Sequence, residues 1–190
     1  MSAESELLTA IVASTRDRLQ AAACSVALVE DGELVFRAAS GAGAAEILGV
    51  RLPIGRGIAG WVVTSGQAIA VSDVHRDQRF DAETAQSTGY LPTSILAVPV
   101  EDDEGPIGVL EVLDRTSETH DLDVAGDAAR QIGLVVELTR NGAEVDAVLA
   151  DPALRDLIAL VRRLGAADER DRALAVALLS AVVEQRSPAR

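Results

Sequence analysis

The sequence contains two β-hairpin signals, and their positions between two helical segments constrain the fold more than any other feature. In the first, apolar runs at 25–29 and 33–39 flank a turn that contains Asp-Gly, which is typical of a tight two-residue hairpin. In the second, runs at 94–100 and 107–113 are joined by the charged segment EDDEGP, which cannot lie in a core. Because hairpins pair antiparallel, we expect an antiparallel sheet.

Helical periodicity precedes the first hairpin and follows the second. The stripe that predicts a helix over residues 4–21 consists of Leu7, Leu8, Ile11, Val12 and Leu19. The stripe that predicts a helix over residues 120–140 consists of Ala125, Ala128, Ala129, Ile132, Val135 and Val136. The order helix, hairpin, middle region, hairpin, helix favours an α+β domain over alternating βαβ units.

The remaining residues, 142–190, are predicted to form a helical extension outside this domain, which then covers residues 1–141. Asp151-Pro152 is a strong helix start, and a second helix is expected from Asp168 to about residue 184. Two such helices cannot bury both apolar faces alone. The extension must pack on the domain, on another copy of itself or on a partner. The apolar stripes of the chain together favour a symmetric homodimer.

Charge and cysteine content exclude several classes of protein. Thirty acids against 17 basic residues give a net charge of −13, and every basic residue is Arg. Nucleic acid is a poor partner because phosphate binding needs a basic face, and an anionic membrane surface would repel the chain. Cys24 is the single cysteine, so an intrachain disulfide is impossible. With an acidic start and no apolar run long enough to span a bilayer, the sequence predicts a cytoplasmic protein.

Residues 55–60 match G-x-G-x-x-G, and Asp73 follows at a spacing close to that of a ribose-binding acid. The preceding segment is short and contains Pro53, which is unsuited to the buried parallel strand that a dinucleotide fold requires. The glycines are better explained by a turn that brings backbone close to a short helix carrying Trp61 inward.

Catalytic groups are scarce. The consecutive acids at 101–104 point in different directions, which is typical of a solvated turn rather than a calcium loop. His75 and His120 are the only histidines, and both are expected at the surface. With two histidines, one cysteine and no lysine, general bases are few, and we expect no enzymatic activity.

The segments RLPIGRGIAGWVVTSGQAIAVSDVHRDQRF and SILAVPVEDDEGPIGVLEVLDR together resemble a GAF domain, a small-ligand sensory module of signalling proteins. The resemblance covers residues 4–141 and is strongest from 52 to 115. It implies a six-stranded antiparallel sheet with the terminal helices on one face and a ligand cavity on the other.

The known ligands of the GAF family each require particular residues. Cyclic-nucleotide sensors carry a motif of Asn, Lys, Phe, Asp and Glu; Phe80, Asp81 and Glu83 match its end, but the chain has no Lys. Haem-binding relatives have a proximal His at the position that corresponds to residues 88–92 of this chain, where no His is present. Bilin carriers use an attachment cysteine in the loops around the cavity. Relatives that reduce free methionine sulfoxide need two thiols. The sequence therefore disfavours haem and bilin and makes a cyclic nucleotide doubtful.

The resemblance implies a noncatalytic sensor that binds a small metabolite and signals to a cytoplasmic partner protein through its terminal helices. The alternative is a dimeric adaptor whose cavity is filled by its own side chains. The candidate ligand-binding residues are Phe36, Ala38, Ile58, Trp61, Asp73, Phe80, Tyr90, Ser94 and Leu96. No metal ligand is assigned.

Overall fold

A six-stranded antiparallel sheet forms the centre of the computed structural model, which describes residues 2–116 and 120–140. The strands are β1 (Ala23–Glu30), β2 (Glu33–Gly41), β3 (Arg51–Pro53), β4 (Ile69–Val71), β5 (Ile95–Asp102) and β6 (Gly105–Leu113). The helices are α1 (Ala3–Arg18), α2 (Ala44–Ile47), α3 (Gly57–Ser65), α4 (Ala82–Ser87) and α5 (Asp121–Arg140), with a 3₁₀ turn at Val74–Arg76. The strand order is β3-β2-β1-β6-β5-β4, so the two predicted hairpins lie side by side. The α+β prediction is confirmed.

The first hairpin turns at the two residues expected from the sequence. Asp31 and Gly32 both have positive φ angles, 51° and 81°, and Glu30 pairs with Glu33 across the turn. Two central residues of positive φ are what a type I′ turn requires, and the twist of that turn matches the twist of the strands it joins.

The terminal helices lie close to their predicted bounds. Ser2 caps α1, since its hydroxyl accepts a hydrogen bond from the Ser5 backbone N–H at 3.2 Å. The helix ends three residues before the predicted end at 21. Gln20 has a φ of 48°, which breaks the helical path and directs the chain into β1. The C-terminal helix begins one residue after its predicted start.

The sheet separates two apolar cores. One core lies between the sheet and the terminal helices and is centred on Leu8, Val12, Val26, Leu110 and Ile132, each at most 1% exposed. The other lies on the opposite face, under α3, and is centred on Leu34, Phe36, Val62, Val74 and Val109. The prediction that both terminal helices pack on one face is therefore confirmed.

A β-bulge in β2 changes which side chains face each core. Val26 pairs with Ala38, but its neighbour Ala27 pairs with Phe36, so Arg37 has no opposite residue. The extra residue places Phe36 and Ala38 on opposite faces of the sheet, whereas strict alternation would place them on the same face.

The glycines at 55–60 form a turn packed against the start of α3. Gly55 and Gly57 have φ angles of 92° and 74°, which other residues rarely adopt. A side chain at Gly60 would place its Cβ 2.6 Å from the Gly55 backbone nitrogen. The glycines therefore serve a close backbone approach, as predicted, and nothing in this arrangement resembles the strand and long helix of a dinucleotide site.

Two glycines of α5 provide a matched test of how closely the helix packs on the sheet. A Cβ at Gly133 would lie 2.5 Å from the Glu101 carbonyl oxygen, whereas one at Gly126 would meet only the far end of Arg130, at 3.8 Å. We expect Gly133→Ala to destabilise the domain by about 1–3 kcal/mol, since the helix must move away from β5. Gly126→Ala is expected to stabilise it by about 0.5–1 kcal/mol. Urea unfolding measures both, and equal effects would contradict the packing described here.

The predicted extension at 142–190, and the boundary before it, lie outside the described residues. Within the described ranges, no helix combines the length and the apolar character needed to cross a bilayer.

Candidate functional site

A pocket of about 100 Å³ lies on the sheet face opposite the terminal helices. We call it the sheet pocket. Its floor is formed by strand residues Ala23, Ser25, Phe36, Ala39, Ile95, Glu111 and Leu113. Its other walls are formed mainly by Arg56, Ile58, Ala59, Phe80, Asp81, Thr84, Ala85, Thr88 and Tyr90. The location agrees with the cavity that the sequence resemblance implies.

Four of the nine candidate residues line the sheet pocket: Phe36, Ile58, Phe80 and Tyr90. Phe36 and Ile58 are buried at 4% and 2% exposure and contribute apolar walls. Phe80 contacts His75 edge to face, with ring centroids 5.8 Å apart. These four residues come from a strand, a helix and the connecting segment, which converge only in the folded domain.

The predictions that Ala38 and Leu96 face the cavity are wrong. Both belong to the core between the sheet and the terminal helices. Ala38 lies there because of the bulge at Arg37. On β5, Ile95 and Ala97 face the pocket side, so Leu96 between them points to the helices.

Trp61, Asp73 and Ser94 do not line the sheet pocket. Trp61 is partly buried against the core beneath α3, and the Arg79 guanidinium lies 4.6 Å from its ring. Asp73 pairs with Arg76 at 3.2 Å in the connecting loop. Ser94 binds Asp114 through its backbone N–H at 2.8 Å. These three residues shape segments around the pocket.

Glu111 and Ser25 are polar residues of the pocket floor, and neither is among the predicted site residues. They are opposite one another on β6 and β1 and both line the pocket. Among the described residues, none donates a hydrogen bond to the Glu111 carboxyl group or forms an ion pair with it. The Ser25 hydroxyl likewise makes no hydrogen bond to these residues. Burial raises the pKa of Glu111 to about 7.

A signal for Glu111 was present in the sequence. Val109, Glu111 and Leu113 share one face of β6, and Leu110 and Val112 share the other. If both faces of this strand are covered, an acid in its middle is an anomaly, because Glu is rarely buried without a partner. The acid that interrupts the apolar run of β6 therefore indicates the site more directly than the apolar residues around it do.

Arg56 links two walls at the mouth of the pocket. Its Nε lies 2.7 Å from the Asp81 carboxylate, and its guanidinium also reaches Glu83 at 2.9 Å. Asp81 caps α4, accepting hydrogen bonds from the Thr84 backbone and from its hydroxyl at 2.6 Å. Burial opposes ionisation of Asp81, but the bonds from Arg56 and Thr84 outweigh it and lower the pKa.

Asp114 fixes the segment that forms the wall near Tyr90. Its carboxylate accepts hydrogen bonds from the Tyr90 hydroxyl at 2.5 Å and from the backbone N–H groups of Thr93 and Ser94 at 2.8 Å. Burial raises the pKa of Tyr90 to about 12, with the hydrogen bond to Asp114 as a further cause. The residue after β6 thus holds the segment that enters β5.

Cys24 and the two histidines lie where the sequence analysis expected them. Cys24 is a buried residue of β1, and burial raises the pKa of its thiol above the ordinary value. The Cys24 thiolate, which is the reactive form, is thereby disfavoured. His75 and His120 are exposed.

Comparison with known proteins settles the family. The sequence model that describes the GAF domain family matches residues 4–136 of this chain. The chain belongs to the GAF domain family. Solved structures of similar fold include the GAF domain of Acinetobacter phosphoenolpyruvate-protein phosphotransferase, at 19% identity and a TM-score of 0.63 over 75% of this chain and 87% of that one. A free methionine-R-sulfoxide reductase from Neisseria meningitidis, solved with its substrate, shows 23% identity and a TM-score of 0.59 over 72% and 79%.

Curated relatives match a shorter part of the GAF domain. A dual 3',5'-cyclic-AMP and -GMP phosphodiesterase 11A of Takifugu rubripes is 35% identical over 69 residues, 36% of this chain and 8% of that protein. A dual phosphodiesterase 11 of Drosophila melanogaster is 39% identical over 67 residues, 35% and 5% of the two chains. The chain therefore spans only a small share of these relatives, and GAF domains of this kind are ligand-sensing and regulatory modules.

Proposed function

We propose that this chain is a noncatalytic GAF-domain sensor that binds a small metabolite in the sheet pocket and regulates a partner protein in the cytoplasm. The observation that carries the proposal is the pocket floor, where Glu111 and Ser25 present polar groups to open space without a partner among the described residues. A ligand that carries hydrogen-bond donors can reach both oxygen-bearing side chains from the pocket, and bonds to a charged group such as a carboxylate are among the stronger ones.

The state of the single thiol supports a binding role for the sheet pocket. Cys24 is the only cysteine of the chain, and its pKa is raised by burial. Thiol chemistry that needs an attacking and a resolving cysteine has no second thiol to use. Two other polar groups of the lining, Asp81 and Tyr90, already make hydrogen bonds within the domain. These bonds fix their positions, which suits ligand recognition.

The strand β6 offers a direct route from the pocket to the terminal helices. Glu111 faces the pocket, while its neighbours Leu110 and Val112 pack in the core that includes α1 and α5. A ligand that moves the floor therefore acts on residues in contact with the helix-side core, and close packing transmits small shifts. The partner is expected to contact these helices.

Homodimerisation remains a prediction. The apolar stripes of α1 and α5, from which it was argued, are largely covered by the sheet within one chain: Ile11 is 5% exposed and Ile132 fully buried. Light scattering on the full chain decides it, and a monomeric mass at tens of micromolar would contradict it.

A pocket-filling variant tests the sensor proposal. A library of small metabolites at millimolar concentration is screened by thermal unfolding and by emission of the single tryptophan, Trp61. A ligand at 100 times its Kd should stabilise the fold by about 2.7 kcal/mol. Ala39→Leu, which extends into the pocket, should abolish that gain, whereas Ala70→Leu on the exposed face of β4 should retain it.

Ligand stabilisation that survives Ala39→Leu would place binding elsewhere on the domain. If no compound of the library changes thermal unfolding or Trp61 emission, and Ala39→Leu captures the partner protein as well as the native chain does, the dimeric adaptor would be favoured instead.

A further inference from the structure

We propose that the sheet pocket selects a small organic cation, whose N–H groups bind the Glu111 carboxylate and the Ser25 hydroxyl. The inference rests on the proposed sensor function, because both use the same pocket, and it adds the chemical class of the ligand. The ligand class is inferred from the positions of Glu111 and Ser25, which are paired on neighbouring strands and both line the pocket.

Ser25 and Glu111 lie close enough together to bind one donor group. Ser25 and Glu111 are paired across neighbouring antiparallel strands, so their Cβ atoms lie roughly 4.5–5.5 Å apart. Ser25 also pairs with Ala39, and Glu111 with Ala97. Small residues on either side leave the carboxylate uncovered, so a donor group that enters the pocket reaches both oxygen-bearing side chains at once.

The charges of the pocket lining favour a cationic ligand. The ionisable groups that carry charge in the pocket lining are Glu111, Asp81 and Arg56. Arg56 is already paired with Asp81 and Glu83, so the uncompensated charge is that of Glu111. A carboxylate accepts hydrogen bonds and donates none, and a cationic donor makes the stronger, charge-assisted bond. An anionic ligand would meet like charge on the floor.

A divalent cation fits less well than an organic one. Ca²⁺ takes six to eight oxygen ligands and Mg²⁺ six, whereas Glu111 is the one carboxylate of the described lining that is not engaged in an ion pair, and many of the lining residues are apolar. Apolar walls such as Phe36, Ile58 and Ile95 suit an alkyl group. A cavity of about 150 Å³ holds benzene. The sheet pocket, at about 100 Å³, is smaller, so it fits a slender alkylammonium group or the cationic end of a longer ligand better than a ring.

The cation should bind more weakly below neutral pH. The other titratable groups of the pocket are Cys24 on β1, Arg56 at the start of α3, Asp81 at the start of α4 and Tyr90 before β5. The pKa values of Cys24, Arg56 and Tyr90 are raised and that of Asp81 is lowered, so none of them changes charge between pH 6 and 8. Glu111, whose pKa is about 7, does.

The test uses three probes of one shape: n-butylammonium, 1-butanol and butyrate. Calorimetry and thermal unfolding of the full chain measure their binding at pH 8. We expect n-butylammonium to bind at least about tenfold more tightly than the other two, because hydrogen bonds to a charged group are the stronger ones. Its binding should weaken about tenfold at pH 6, where Glu111 is largely protonated.

Glu111→Gln keeps the shape of the side chain and should remove the preference for the cation together with its pH dependence. Glu104→Gln removes the same charge from the exposed β5–β6 turn and should change neither. A cation preference that persists in Glu111→Gln would overturn the inference, since the general negative charge of the chain would then explain it.

Tighter binding of 1-butanol or butyrate, lost in Ala39→Leu, would overturn the cation assignment while leaving the sensor function intact. Failure of all three probes also overturns the assignment. The proposed sensor function is contradicted only when no metabolite of the wider library stabilises the native chain, or when the stabilisation is the same in Ala39→Leu.

Discussion

Replacing Glu111 with Gln is expected to stabilise the empty domain, and by an amount that grows with pH. The pKa of Glu111 is raised from 4.5 to about 7 in the folded chain, so the folded state retains a proton that the unfolded state has lost between these values. Stability therefore falls as pH rises through this window and levels off above it, with a total cost on the order of 3 kcal/mol. Glu111→Gln removes this dependence.

Urea unfolding of the native chain and of Glu111→Gln from pH 5 to pH 8.5 measures the effect. The difference between their unfolding free energies should widen across the range and become nearly constant above pH 8. Glu104→Gln controls for net charge, because that side chain is exposed. A difference between native chain and Glu111→Gln that stays the same at every pH would show that the carboxyl group is not buried in the pocket.

Replacing Asp114 with Ala is expected to destabilise the domain by about 2–4 kcal/mol. The carboxylate accepts three short hydrogen bonds from Tyr90, Thr93 and Ser94, and bonds to charged groups contribute about 1.5–3 kcal/mol each without being additive. Asp114 also has a φ of 48°, which Ala adopts less readily than Asp or Asn.

Asp114→Asn separates these causes, because Asn tolerates the same backbone angle and keeps one acceptor oxygen. It should cost less than Asp114→Ala, and Asp103→Ala in the exposed β5–β6 turn should cost almost nothing. Hydrogen exchange at residues 90–94 reports the local effect. Unchanged protection there in Asp114→Ala would contradict the role assigned to this carboxylate.

The architecture could be predicted because its signals are local. The Asp-Gly turn, the charged turn at 101–104 and the two helical stripes each depend on a few neighbouring residues, and together they fix an antiparallel sheet between helices. The short strands β3 and β4 carry only three residues each and give no such signal. Their pairing is decided by neighbouring strands in the folded chain.

The site was harder to predict because its residues depend on strand phase. Phe36, Ile58, Phe80 and Tyr90 were recognised as large apolar or aromatic groups near the cavity. Leu96 was misplaced by one position of alternation, and Glu111 was missed because an acid on a strand is ordinarily a solvent-facing residue. Knowing that both faces of β6 are covered requires knowledge of what packs on each face, which alternation alone does not supply.

The bulge at Arg37 divides β2 into two stretches that obey alternation separately. Before it, Leu34 and Phe36 face the pocket side. After it, Ala39 does, although Phe36 and Ala39 are three positions apart and strict alternation would place them on opposite faces. Removing the residue at 37 would leave every other side chain of β2 on its present face, whereas removing any residue before or after it would exchange the faces on one side of the gap. When β2 is aligned with a relative that is one residue shorter, the gap therefore belongs at Arg37.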